Sequence, residues 1–432
     1  MKSVNKGLLC AALGMVGASW LGSAQAVPAF AHKYEKNCSY CHTAWPQLNE
    51  KGRKFKEMGY RLKEDLKGEV KDTPYLDGFP MGAIIVSRPY DKKSNGEREM
   101  HGVHEAELFI AGSAGKNLST FVELEAEDEN DWNVEFGHAV LNYRHNDAVN
   151  VELSWSPMFF ADPYGTISDH FSPTVSHYAL VNGEGGTVNG PSAADFGGAD
   201  GSAIDNVTFD ETTGEFVSAD VSSGAMGDSR HNVAVTGRIN KFFYIAGISG
   251  VAGSTTGEKD AVLNGRLAYD ITDNMMVGVL AVSGKTTVTA DLQNDVVGEK
   301  DVKFTRVGVD FMGDFGNSRL QAGYISGKDD QLTYDEANNA LIGDGSTTDK
   351  VLSIQGMHTF KTEKGKPTWV PVARYENYTK NDGDDKYADL VLGVSYFLKE
   401  NVKAMLEYKS DMDAPDGVDK ENRATLQINV GL

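Results

Sequence analysis

The sequence predicts a mainly β protein: a small α-helical N-terminal domain followed by a transmembrane β-barrel of about 16 antiparallel strands. Three observations carry this. Beyond the extreme N-terminus no stretch reaches the roughly 18 consecutive apolar residues that a spanning helix needs, so any crossing of a membrane is made by strands. From Phe79 onward, segments of about 9–14 residues alternate apolar and polar positions, a weak pattern singly and a barrel signature when repeated. The connections between these segments alternate long and short, as they do when the two ends of a barrel face different compartments. Composition agrees: 47 Gly, 12 Pro and 40% hydrophobic residues show neither a disordered nor a collagen-like bias. With 41 Lys and Arg against 62 Asp and Glu, the net charge of -21 excludes nucleic acid as a partner and favours cations or basic proteins.

The first element is an address. Lys2 and Lys6 precede an apolar stretch from Gly7 to Leu21, and Ala24-Gln25-Ala26 has the small-x-small pattern of a signal-peptide cleavage site. Residues 1–26 are therefore expected to be a signal peptide, with the mature chain starting near Val27. Cys10 lies inside this leader, directly after Leu9, and is read as leader and not as a lipid anchor.

Residues 27–78 follow as a segment too short for a robust apolar core without a covalent cofactor or a host to dock against. Its ten Lys or Arg outweigh eight acids, so a basic segment faces an acidic remainder. Cys38-Ser39-Tyr40-Cys41-His42 is C-x-x-C-H, the pattern in which two thiols form thioethers to one haem c and the adjacent His42 ligates its iron. A redox disulfide and half of a zinc site are the competing readings. The disulfide does not need the histidine, and zinc would have to find its remaining ligands far away in the sequence. After Pro46, Leu48, Phe55 and Met58 recur at helical spacing up to Gly59. Met58 is the candidate distal ligand, or else the core face of a short helix. Met81, Met100, His101, His104 and His32 are further ligand types without a deciding spacing.

Residues 79–432 are expected to form the barrel, with strands at 79–90, 103–113, 117–127, 134–144, 148–157, 229–239, 241–250, 262–272, 274–284, 302–312, 317–327, 349–361, 366–379, 386–398, 401–410 and 422–432. Val149, Val151, Leu153 and Trp155 alternate with Asn150, Glu152 and Ser154; Leu390, Leu392, Val394 and Tyr396 repeat the pattern, as do Leu426, Ile428, Val430 and Leu432. Each apolar set is expected to face lipid. Loops are expected at 91–102, 128–133, 158–228, 251–261, 285–301, 328–348, 380–385 and 411–421, with much shorter turns between them, which puts residues 27–78 and the C-terminus on the periplasmic side. A soluble sandwich or propeller would not need that alternation. The loop 158–228, with Asp162, Asp169, His170 and His177 near its start, is too long for a mere connection and is expected either to enter the lumen or to lie over the cell surface.

On the second to fifth strands the polar face carries Glu105, Glu107, Glu123, Glu125, Glu127, Glu135 and Glu152, with Ala106, Leu108, Ile110, Val122, Leu124 and Ala126 opposite. Two readings stay open for this acidic wall: a path for divalent cations, whose hard character suits carboxylates, or salt-bridging to inward Lys and Arg and to the basic N-terminal segment. No catalytic triad or phosphate loop is visible.

The leader, Val27-Pro28-Ala29-Phe30-Ala31, then Cys38 to Thr43 with Pro46, Leu48, Gly52, Phe55, Gly59 and Tyr60, and finally the sixteen-strand pattern, together resemble the fused outer-membrane monohaem cytochrome-porins of iron-oxidising bacteria. The specific part of the resemblance is residues 27–62, and the terminal Leu432 departs from the Phe or Trp with which such barrels commonly end. The resemblance implies a Gram-negative outer-membrane protein carrying one covalently bound haem c. Cys38 and Cys41 would attach it and His42 would be its proximal ligand. The implied activity is a one-electron Fe(II):cytochrome c oxidoreductase that takes electrons from extracellular Fe(II) and passes them to a periplasmic c-type cytochrome or other soluble carrier. Conduction for another extracellular donor or acceptor, and a transport porin with a haem-bearing plug, are the alternatives.

Overall fold

A computed structural model describes residues 28–67, 81–114, 116–180, 204–210, 215–220, 226–250, 261–292, 295–335, 340–415 and 418–432. The expected signal peptide and the first two residues of the expected strand at 79–90 lie outside them. The N-terminal segment comprises α1 (Pro28–Tyr34), a 3-10 turn (Cys38–Tyr40), a two-stranded hairpin of β1 (His42–Ala44) and β2 (Gln47–Leu48), and α2 (Glu50–Glu57). There follow β3 (Met81–Lys93), β4 (Arg98–Ala114), β5 (Leu118–Glu127), β6 (Glu135–Arg144) and β7 (Asn150–Ser156), then a hairpin of β8 (Ile204–Asp210) and β9 (Glu215–Asp220). The chain continues through β10 (Arg230–Ile239), β11 (Phe242–Ser249), β12 (Val262–Thr272), β13 (Met275–Leu292), β14 (Asp295–Phe315) and β15 (Ser318–Asp335). It ends with β16 (Ala340–His358), β17 (Trp369–Lys380), β18 (Asp385–Lys399), β19 (Val402–Asp413) and β20 (Asn422–Gly431).

Sixteen of these strands, β3–β7 and β10–β20, close into one antiparallel barrel. β20 pairs with β3 (Val430 opposite Ile85), and β7 pairs with β10 (Val151 opposite Val235), which removes both free edges. Every expected strand is found. Alternation sets the inside and the outside: on β7, Glu152 is 4% exposed and Leu153 45%. Large apolar side chains cover the exterior on strand after strand, among them Leu141, Val233, Leu267, Val309, Ile354 and Leu392. Near the short turns, outward aromatic pairs Trp369–Tyr396 and Phe242–Tyr269 stand with ring centroids 4.4 and 4.9 Å apart. An apolar band edged by aromatic rings suits hydrocarbon and not water. No helix among the described residues is long and apolar enough to cross a membrane.

The structure corrects two of the expected loops. Residues 285–301 and 328–348 are mostly strand, because β13–β14 and β15–β16 run on as long hairpins. Runs such as Thr286-Thr287-Val288-Thr289 favour a strand, but beyond the apolar band no face needs to be hydrophobic, so the alternation that marks a strand disappears.

Two segments fill the lumen. The N-terminal segment sits at the short-turn end. Arg53 pairs with Asp314 and donates to the Asp273 carbonyl, Arg238 forks onto Glu57 at 2.6 and 2.7 Å, and Arg319 donates to Gln47 Oε1 and the Leu48 carbonyl. Its apolar residues do not form a core of their own: Ala29, Cys38, Ala44 and Trp45 belong to one cluster with Ile84, Phe109, Phe121, Val140 and Phe397 of the wall. The second segment is the beginning of the long loop, of which residues 157–180 fold inward. Asp162 and Asp310 flank a fully buried Arg266 (2.7 and 2.6 Å), and Glu407 accepts from the backbone of Val175 and Ser176. Of the two expectations for this loop, entry into the lumen holds for its described start. Farther on, β8 adds to β13 in parallel, Asn206 opposite Thr289.

Candidate cofactor and metal site in the barrel lumen

The C-x-x-C-H loop is held by local chemistry. The Cys41 N–H closes a turn onto the Cys38 carbonyl at 3.1 Å, and the Cys41 carbonyl accepts from Asn49 N. Asn49 also caps α2, accepting from Gly52 N at 3.1 Å, while its amide donates to the carbonyls of Ser39 and Tyr40. The helix start and the cysteine loop are thus one unit. Gly52 is where they touch: a Cβ there would lie 2.1 Å from the Cys41 carbonyl oxygen.

Cys38, Cys41 and His42 all line a cavity of about 580 Å³ inside the barrel. That size lies in the range of pockets that hold whole cofactors. The two cysteines do not form a disulfide with each other. Burial and the neighbouring Cys38 push the Cys41 thiol up to about 11, against the influence of Lys51, the opposite of the lowered value that a redox-exchange thiol needs. Burial holds His42 down at about 4, with a further contribution from Lys403 and an opposing one from its bond to Pro46, so its ring is neutral near pH 7. Its Nδ1 lies 2.9 Å from the Pro46 carbonyl, which fixes the tautomer with Nδ1 protonated and leaves Nε2 as the ligating nitrogen. An aromatic stack encloses the cavity: Phe30 against Phe55 (4.9 Å) and Tyr60 (5.6 Å), and Tyr60 against Phe121 (5.2 Å). Two thiols, one oriented neutral imidazole and aromatic rings on part of the lining fit a covalently attached haem.

Met58 does not line this cavity. It is the C-cap of α2, its N–H bonded to the Lys54 carbonyl. Met81 and Met100 are exposed, and the side chain of His32 lies outside the described residues. The cavity is lined instead by His138, His170, His177, Met226 and Met405 among the histidines and methionines outside the C-x-x-C-H loop.

The expected acidic wall is present, and it lines the same cavity. Glu105, Glu107, Glu123, Glu125 and Glu127 all line it, with Glu105 directly opposite Glu127 and Glu107 opposite Glu125 on β4 and β5. Glu135 does not join them. It pairs opposite Glu125 at the first residue of β6 but is exposed there and accepts from Asn130. Glu152 is buried in the lumen but outside the cavity. Other lumenal carboxylates are matched to arginine: Asp329 to Arg306, Glu376 to Arg374, Asp91 to Arg423 and Asp314 to Arg319. Among the described residues, no lysine or arginine forms an ion pair with Glu105, Glu107, Glu125 or Glu127, and Arg88 donates to Gln427 instead. Arg88 and Lys403 line the same cavity without forming an ion pair with the wall, and facing carboxylates placed in this way favour a positive occupant.

Two histidine–carboxylate clusters include residues of these strands. Asp128 accepts from His101 and His104 at 2.6 and 2.8 Å near the long-loop end. Deeper, Glu123 bonds His138 at 2.7 Å, and His170 stands edge-on to His138 at 5.0 Å. In each cluster the three ligand atoms lie within 4.8 Å of one another, close enough to hold one metal ion. His138 was missed in the sequence because alternation counted from Glu135 sets it on the opposite face, and the register shift between these two residues breaks that alternation; His170 stood out only as a loop histidine.

No family model and no curated protein matches the chain. Among solved structures it is similar to an anion-selective porin from Comamonas acidovorans, with a TM-score of 0.53 and 12% identity over 82% of this chain and 98% of that one. It is also similar to the trimer form of OmpT, an outer membrane protein of Vibrio cholerae, with a TM-score of 0.51 and 11% identity over 82% and 98% of the two chains. At such identities the likeness is one of fold, a porin-like barrel.

Proposed function

We propose that this chain is an outer-membrane electron conduit, a porin-like barrel enclosing one covalently bound haem c that takes single electrons from extracellular Fe(II) and delivers them to a periplasmic c-type cytochrome or other soluble carrier. One observation carries the reading: the C-x-x-C-H loop and the glutamate wall, far apart in the sequence, line a single lumenal cavity. The apolar exterior with its aromatic edge supports insertion in the outer membrane, and the short-turn end holding the N-terminal segment is then periplasmic.

Cys38 and Cys41 would hold the haem by thioethers and His42 Nε2 would ligate its iron. Bound there, a haem c supplies a reversible one-electron couple matched to Fe(II) and Fe(III). The protein does the rest. Asn49 and Gly52 keep the attachment loop on α2, the Phe30–Phe55–Tyr60–Phe121 stack excludes water, and the glutamates raise the local concentration of cations.

A transport porin with a haem-bearing plug is the second reading, favoured by the porin-like fold; it predicts solute flux and no turnover with iron. The two separate in one cuvette. Anaerobic Fe(II) added to the air-oxidised, detergent-solubilised protein should produce the reduced c-type haem spectrum before dithionite is added. A haem reduced by dithionite alone would remove Fe(II) as the donor.

A further inference from the structure

The geometry points to a divalent-cation site formed by Glu123, His138 and His170 in the wall of the lumenal cavity, with a first-row ion of the Fe(II) class as its ligand. Two imidazoles and one carboxylate on one side of an ion, with the remaining positions open, form the donor set that suits ferrous iron and its neighbours. All three side chains line the cavity, and their ligand atoms lie within 4.8 Å of one another.

They come from three separate elements, which is what makes the cluster a built site and not an accident of one strand. Glu123 is on β5, His138 is brought across from β6 in direct register, and His170 is carried in by the 3-10 turn Asp169–Phe171 of the inward-folded loop. The site has a supporting shell. Phe160 stacks on His138 at 4.6 Å and meets His170 edge-on at 5.3 Å, and Phe171 packs against His170 at 5.0 Å, so the rings are set by packing. Glu107 and Glu125 of the same cavity are further oxygen donors in its lining. The Glu123–His138 hydrogen bond gives the apo site a satisfied resting state, which an incoming ion replaces with two coordinate bonds, the ring proton of the neutral imidazole moving to the nitrogen that does not ligate.

That this ion is the electron donor rests on the reading above; that it binds here does not. The test therefore uses Mn(II), which takes the same donor types and does not reduce haem, added to the full-length protein in detergent and followed by loss of the free-ion EPR signal. Wild type should take up one ion per chain. Glu123→Gln, His138→Asn and His170→Ala should each weaken uptake by about tenfold or more, on the scale of losing a ligand or its support. His101→Ala/His104→Ala should retain it. His170 is on a loop and half-buried, so its removal leaves the barrel intact, and circular dichroism and haem absorbance on the same samples report folding and the haem separately. Unchanged uptake in His170→Ala and Glu123→Gln, or uptake abolished only by the His101/His104 substitutions, would overturn the assignment. Absence of haem from wild type would sink the conduit and leave the Mn(II) result standing.

Discussion

Two single residues in the N-terminal segment decide between accounts of it. If Gly52 exists to let α2 approach the Cys41 carbonyl, then Gly52→Ala must push that loop away, at a cost of about 1–3 kcal/mol for an overpacked contact. Purified Gly52→Ala should carry markedly less haem than wild type, whereas Gly356→Ala, where a Cβ meets nothing within 4 Å, should carry the same amount. Lys56 makes a different statement. Its Nζ is buried without a hydrogen-bond partner, 4.5 Å over each of the Phe160 and Phe171 rings. Burial lowers it from 10.5 to about 8, although Asp162 and Glu152 draw it upward. Between about 8 and 10.5 the unfolded chain still binds the proton that the folded chain has released, so stability rises with pH across that window, and the full penalty is present below it. The urea midpoint of wild type should rise more from pH 8 to pH 10 than that of Lys56→Met; equal slopes would show that Lys56 is not held in this way.

Among the elements, the inward part of the long loop is the one whose contacts are least expected. Arg266 between Asp162 and Asp310 is a buried triad, and removing its cation strands two carboxylates, which costs about 3–5 kcal/mol. Arg266→Met should lower the unfolding midpoint accordingly and raise single-channel conductance as residues 157–180 loosen. A stable, non-conducting Arg266→Met would show that the triad does not anchor the loop. The strands themselves were legible, because on β7 or β18 one face must be apolar and the other line the lumen. Legibility stopped where that pressure stops. The polar extensions of β13–β16 read as loops, and the inward fold of 157–180 depends on Arg266 and Glu407, more than a hundred residues away in sequence. Likewise the glutamate wall followed from alternation, but the place of His138 opposite Glu123 did not, because a register shift between His138 and Glu135 breaks the alternation along β6. Cys38, Cys41 and His42 were legible as a motif; Met58, chosen on helical spacing, is the C-cap of α2 and is not among the residues lining the cavity.

At the scale of the whole molecule, the short-turn end carries the N-terminal segment and the long-loop end carries the His101–His104–Asp128 cluster, so the glutamate wall lies between an outer mouth and the C-x-x-C-H loop. This polarity is testable in cells. An epitope inserted at 416–417 should be labelled on intact bacteria, and one inserted at the Asn240–Lys241 turn should be labelled only after the outer membrane is opened. Reversed labelling would invert the direction assigned to the conduit. The account as a whole depends on a haem covalently held by Cys38 and Cys41 within the barrel. Intact-mass measurement of the purified protein, beside Cys38→Ala/Cys41→Ala, tests it most directly. Wild type should exceed the mass of its mature polypeptide by one haem, and the double variant should show the bare polypeptide. A wild-type chain at the bare mass, with Cys38 and Cys41 both as thiols or joined as a disulfide, would contradict it.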